Sequence, residues 1–278
     1  MDETNGKLEI NPEDNIFTFV TLQTSIIQKL MSTLREIFVE TNIIIRPDGI
    51  RILDMDKSNT IVVSMFLRAE EFELYDCKVP EIKIGVTMAM VAQHVHAAKS
   101  GYSLTMYLQK SKYCNGTPSA INLQIENGRG KCIDSSIKLI DTNSEEYTYP
   151  ETNYDVELRM LTTDFQENIV IAANTNQQQL EIRAVGKTIQ FIAKNTRSST
   201  CISGARDKSE NSCITWNKHS NKVVQGIFSI KGLKCFTQCT PMCSECDIAL
   251  SNDAPIRVRY YPGTLGDLEF FHIPSPAI

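Results

Sequence analysis

Asn42-Ile-Ile-Ile-Arg-Pro-Asp-Gly-Ile-Arg-Ile-Leu53 reads as strand, tight turn, strand. Leu180-Glu-Ile-Arg-Ala-Val-Gly-Lys-Thr-Ile-Gln-Phe191 has the same plan, with Gly186 close to where Gly49 sits. Each hairpin follows a short amphipathic helix. Later in each half a strand leads into a second helix, within 82–99 in the first half and 223–239 in the second. Self-similarity of this kind decides the architecture. The chain says the same thing twice.

The first helix is expected from a cap at Thr24 or Ser25 through Phe38. Ile26, Ile27, Leu30, Leu34, Ile37 and Phe38 recur at helical spacing and mark its buried face. Gln28, Ser32 and Arg35 share the opposite face, with Lys29 at its edge. Strands rich in β-branched residues follow. Turn chemistry is expected over Tyr113-Cys-Asn-Gly-Thr-Pro118. The acidic, polar stretch 140–153 reads as a connector that carries Tyr147, Tyr149 and Pro150. The expected organisation is a tail at 1–16, a domain at 17–139, the connector at 140–153 and a second domain at 154–278. The class is α+β, strand-rich, with two helices per half.

Composition sets limits on function. Hydrophobic content of 42% and charged content of 22% fit a globular chain with room for one large core or two domains. A net charge of -5 argues against wholesale coating of nucleic acid but leaves room for a local basic surface. No run reaches the length of a membrane span, and the start lacks signal-peptide features, so no membrane partner or secretion is expected. Nine cysteines, an odd count, point to packed thiols in a reducing compartment.

Chemistry-bearing motifs are sparse. There is no Gly-x-Ser-x-Gly, phosphate loop, His-Glu-x-x-His or dinucleotide fingerprint, so neither an enzyme nor a cofactor is expected. The series Cys235, Cys239, Cys243, Cys246 is the one metal candidate. Pro241 is expected to break the helix and separate its two halves, and packed thiols are the favoured reading over a zinc-binding regulatory module. His94 and His96, two apart on a helix, point to different faces. One buried and one surface histidine is expected. Basic residues recur on three of the helical segments: Lys29 and Arg35 on the first, Lys99 ending the second, Lys231 and Lys234 on the fourth. A common surface carrying them would suit phosphates.

Leu67-Arg-Ala-Glu-Glu-Phe72 with Tyr75-x-Cys77, Leu233-x-x-Phe-Thr-x-x-Thr-Pro241, and Ala254-Pro-Ile-Arg-Val-Arg-Tyr260 through Gly266-x-Leu268 to Pro274 together resemble the proliferating cell nuclear antigen family of sliding DNA clamps. The resemblance covers the chain from Phe17 to Pro274. It implies a DNA clamp fold of two similar domains and closure of three subunits into a ring, with helices lining the hole. Duplex DNA would run through that hole, held without sequence reading by Lys29, Arg35, Lys99, Lys231 and Lys234. Gln28, Gln93, His96 and Gln238 fall where the family usually has lysines, and Glu167 falls near an expected arginine.

The resemblance also implies a groove under the connector for a short peptide with a hydrophobic plug and an aromatic pair. Its matching residues are Met55, Tyr147, Tyr149 and Pro150, together with Pro255, Phe271, His272, Ile273 and Pro274. Implied partners are DNA, a DNA polymerase and other proteins carrying such peptides, a separate ATP-driven loader, and further copies of the chain. The implied place of action is the nucleus or a viral replication site. A subunit of a checkpoint-type heterotrimer is the alternative within the family.

Overall fold

The 42–53 hairpin forms as expected. β1 (Asn15–Thr21) leads into α1 (Thr24–Ile37), and β2 (Glu40–Arg46) then pairs antiparallel with β3 (Gly49–Met55), Arg46 opposite Gly49. Gly49 has φ 147°, and a Cβ there would lie 2.1 Å from the Leu67 carbonyl oxygen. Only glycine permits that approach. Gly186 serves differently: its φ of 58° makes it a left-handed residue after Val185. The two hairpins therefore share a plan and differ in why each needs its glycine.

This computed structural model describes residues 12–114, 116–141, 152–186, 188–194, 199–204, 213–217 and 222–276. The chain divides into two compact units, Met1–Ile52 with Phe66–Ser144, and Leu53–Met65 with Glu145–Ile278. After β4 (Ile61–Arg68) the first unit continues with β5 (Leu74–Cys77), β6 (Ile82–Thr87), α2 (Met88–Val95) and β7 (Tyr102–Gln109). A small hairpin, β8 (Tyr113–Cys114) and β9 (Thr117–Pro118), precedes β10 (Ala120–Asn127) and β11 (Cys132–Lys138). One antiparallel sheet has the order β11-β10-β7-β1-β5, and β6-β2-β3 form another set.

In the second unit β12 (Val156–Leu161) leads into α3 (Thr162–Ala173), then β13 (Gln179–Val185), β14 (Thr188–Lys194), β15 (Ser199–Gly204) and β16 (Cys213–Asn217). β17 (Val223–Ser229), α4 (Ile230–Phe236), a 3-10 turn over Thr237–Met242, β18 (Glu245–Leu250), β19 (Ile256–Tyr260) and β20 (Gly266–His272) complete it. Its antiparallel sets run β16-β12-β18-β19-β20 and β15-β14-β13-β17. The first matches β5-β1-β7-β10-β11 strand for strand. The duplication is therefore one of topology, not only of hairpins.

Each unit buries its helices' apolar stripes on its own strands. On α1 that stripe is Ile27, Leu30, Met31 and Leu34, with Leu30 and Leu34 wholly buried. Each such side chain contributes about 1.5–3 kcal/mol of transfer free energy. On α3 it is Phe165, Ile169 and Ala172, and on α4 Ile230, Leu233 and Phe236.

Several expectations are corrected. Gln23 caps α1 without a side-chain bond, because the Thr24 hydroxyl turns inward and donates to the Lys99 carbonyl at 3.0 Å. Ile26 and Ile37 are only half-buried, at the edge of the stripe, whereas Met31 joins it. α2 ends at Val95, and short turn bonds (Ala97 N–H to His94 O, Ala98 N–H to Val95 O) carry the chain onward. Lys99 therefore lies beyond the helix. Neither histidine is buried: His94 is half-exposed, its Nδ1 2.8 Å from Met90 O, and His96 is exposed. Pro241 does not stop the helical path, which tightens after Phe236 into the 3-10 turn that contains it. β1 starts at Asn15, with Asn15 and Ile16 buried.

Candidate nucleic-acid and partner interfaces

α1 and α2 pack on one another in the first unit, and α3 and α4 do so in the second. The faces turned away from the strands are the exposed ones. On α1 that face carries Lys29 and Arg35, both exposed, with Arg35 3.4 Å from Glu36. Such a pair of exposed side chains is worth little and leaves the guanidinium available. Gln28 donates from Nε2 to the His96 carbonyl at 2.7 Å, tying the face of α1 to the end of α2. The outward residues of α2 are uncharged: Ala89, Met90 and Gln93 are exposed. Lys99, on the turn beyond, is exposed as well.

In the second unit α4 turns Lys231 and Lys234 outward, one helical turn apart, with Gln238 beyond them. α3 turns out Thr163, Glu167, Val170 and Ile171. The five basic residues expected to meet phosphates thus all reach the surface, four of them on helices.

The peptide-groove residues separate into layers. Pairing of Ile256 with His272 sets Pro255 beside Ile273, and the Ile273 N–H donates to the Thr60 carbonyl at 2.9 Å. Met55 reaches this region through a loop tied by Asp56, whose carboxylate accepts from the N–H groups of Thr60 (2.8 Å) and Ile61 (2.7 Å) and from the Ser58 hydroxyl. Burial works against ionisation of Asp56, but these bonds hold its carboxyl below the usual range. Ile273 is 42% exposed, Pro274 borders solvent, and Met55 and Pro255 are half-buried. Phe271 and His272 lie inside the core instead. Tyr147, Tyr149 and Pro150 fall outside the described residues. Next to Pro274 an open cleft of about 900 Å³ is bordered by Arg183, Gln225, Asn252 and Ser275.

Only the family resemblance points to His272 in the sequence; no local motif marks it. Its ring packs edge-on against Phe228 and Phe236, with Nδ1 2.8 Å from the Ile273 carbonyl oxygen. Burial pushes its pKa below that of an ordinary imidazole. The late cysteines behave as packing. Cys239 and Cys246 are buried, Cys235 and Cys243 half-buried, and burial pushes the Cys246 thiol up. Among the described residues no three of His, Cys, Asp or Glu come together as a metal site. Among them, too, no helix is long and apolar enough to cross a membrane.

Comparison with known proteins places these faces in context. Residues 17–147 match the family model described as proliferating cell nuclear antigen, N-terminal domain, and residues 148–275 match the C-terminal domain model. The chain is 24% identical to a proliferating cell nuclear antigen of Dictyostelium discoideum over 264 residues, 91% of this chain and 97% of that protein. It is 25% identical to the one from Chaetomium thermophilum over 267 residues, 91% and 95% of the two chains. A probable DNA polymerase sliding clamp of Paramecium bursaria Chlorella virus 1 is 27% identical over 269 residues, 94% and 98% of the two. Two matched domains, in the order in which the topology repeats, leave one conclusion: the chain belongs to the proliferating cell nuclear antigen family.

Proposed function

We propose that the chain is a sliding DNA clamp that closes as a homotrimer around duplex DNA and tethers a DNA polymerase and other replication or repair proteins. It performs no chemistry of its own. The observation that carries this reading is the internal repeat, β5-β1-β7-β10-β11 against β16-β12-β18-β19-β20, spanned end to end by the two family domains. Two like units in one chain give a three-subunit ring six similar segments, and head-to-tail closure requires two different, complementary edges. β11 and β15 end their sheets with seven and six residues. The edge of β17 is by contrast partly closed, by the Asn252 side chain bonding Gln225 N–H and Val223 O and by Ser275 N–H bonding Ile227 O. Pairing β11 of one subunit with β15 of the next removes two long exposed edges.

In this reading Lys29, Arg35, Lys99, Lys231 and Lys234 hold phosphates without reading sequence. Ile273, Pro274, Met55 and Pro255 receive the partner's peptide, with Phe271 and His272 supporting the floor from inside; Tyr147, Tyr149 and Pro150 belong to the same proposed site and lie outside the described residues. A separate ATP-driven loader opens the ring, and the place of action is the nucleus or a viral replication site. The mass of the purified chain tests the assembly. Three times the subunit mass of 31.3 kDa supports the homotrimer. A monomer that assembles only with two other clamp subunits would replace it with the heterotrimer.

A further inference from the structure

We propose that the helix face of the second unit holds DNA unevenly: phosphates seat on α4 through Lys231 and Lys234, and α3 repels them through Asp164 and Glu167. This rests on the clamp reading and goes beyond it by assigning opposite roles to two neighbouring helices. α4 (Ile-Lys-Gly-Leu-Lys-Cys-Phe) carries two cations and no acid, whereas α3 (Thr-Thr-Asp-Phe-Gln-Glu-Asn-Ile-Val-Ile-Ala-Ala) carries two acids and no cation. Glu167, Lys231 and Lys234 are exposed, and Asp164 is half-exposed. Among the described residues none of the four has an ion-pair partner.

The remaining surface of α3 supports the same assignment. Thr163 offers one hydroxyl at the start of the helix, whereas Val170 and Ile171, 41% and 37% exposed, offer a phosphate no side-chain donor. Buried Phe165, Ile169 and Ala172 fix the rotation of the helix, so Glu167 cannot turn inward without breaking the core. Packed helices stand about 8–10 Å apart. That is within one Debye length, about 10 Å at 0.1 M salt. α3 and α4 are packed neighbours, so acids on one helix act on a phosphate held by the other through at most moderate screening.

The test is binding of a short fluorescent duplex to the full-length protein across a salt series, read by anisotropy. Lys231→Ala with Lys234→Ala is expected to weaken binding and to flatten the salt dependence by about 0.9 in log–log slope for each phosphate no longer held. Glu167→Lys is expected to tighten binding several-fold and steepen the slope, with Glu167→Gln falling between it and the unaltered chain. An unchanged affinity and slope for Glu167→Lys, with the lysine substitutions still weakening binding, overturns the role of α3. Lysine substitutions without effect overturn the role of α4. All variants are surface exchanges and are checked for an unaltered thermal midpoint. Polymerase stimulation by the unaltered chain, measured alongside, reports on the clamp reading separately: its presence with a flat response to all substitutions defeats only the inference drawn from the helix faces.

Discussion

The imidazole of His272 occupies the space that a side chain at position 232 would fill. A Cβ on Gly232 would lie 2.4 Å from His272 Nε2 and 2.6 Å from Cδ2, with Ile61 Cδ1 at 3.3 Å. Glycine inside a helix normally costs about 1 kcal/mol relative to alanine. Here the cost is offset because the ring of β20 lies directly on the backbone of α4. Gly232→Ala is therefore predicted to destabilise the protein by about 1–3 kcal/mol, the usual range for overpacking, despite its better helix propensity. Urea unfolding of Gly232→Ala, His272→Ala and the double variant gives the coupling. The double variant is expected to recover part of the loss. Additive losses would mean that the ring and the glycine do not meet.

The same burial makes His272 a source of pH dependence. Its folded pKa is depressed, first by burial, with the Ile273 carbonyl, Asp56 and the Ser229 backbone acting the other way. The contribution is present in full above the unfolded value of about 6.5. Below it the unfolded chain takes up a proton that the folded chain refuses, so stability falls with a slope approaching about 1.4 kcal/mol per pH unit. Unfolding midpoints at pH 7 and pH 5.5 should separate more widely for the unaltered chain than for His272→Leu. Equal separations would contradict the assignment.

Among the described residues Tyr260 is the largest side chain that is wholly buried, and its hydroxyl has no hydrogen-bond partner there. The ring packs edge-on against Phe270 at 5.8 Å. An unsatisfied buried hydroxyl costs about 1–3 kcal/mol. Tyr260→Phe keeps the ring and is predicted to raise the unfolding midpoint, by about 1 kcal/mol or more in free energy. A lower midpoint would show that the hydroxyl is bonded after all.

The sequence carried most of the fold because its signals were local. The Pro47-Asp48-Gly49 turn and the helical spacing of Ile27, Leu30 and Leu34 each depend on a few neighbouring residues, and both are seen in the structure. What escaped was set by contacts between residues distant in sequence. The Thr24 hydroxyl abandons capping for a carbonyl at Lys99, and α2 stops at Val95 although no proline or glycine follows directly. Pro241 is accommodated by a tighter turn that no periodicity announces. On the candidate faces, the exposure of Lys231 and Lys234 followed from helical spacing. For Phe271 and His272 the apolar run Phe270-Phe-His-Ile-Pro274 allows either a core strand or a groove wall, and only the structure shows that both faces of the strand are covered. Gly232 reads as a weak point in a helix until the ring over it is located.

Polymerase processivity on a primed circular template, with a loader present, is the decisive measurement for a sliding clamp. A closed ring gives long products that depend on the chain, and the stimulation is lost when the circle is linearised and its ends are left open, since a ring can slide off. Short products on the circle, no longer with the chain than without it, would mean that the protein is not a clamp.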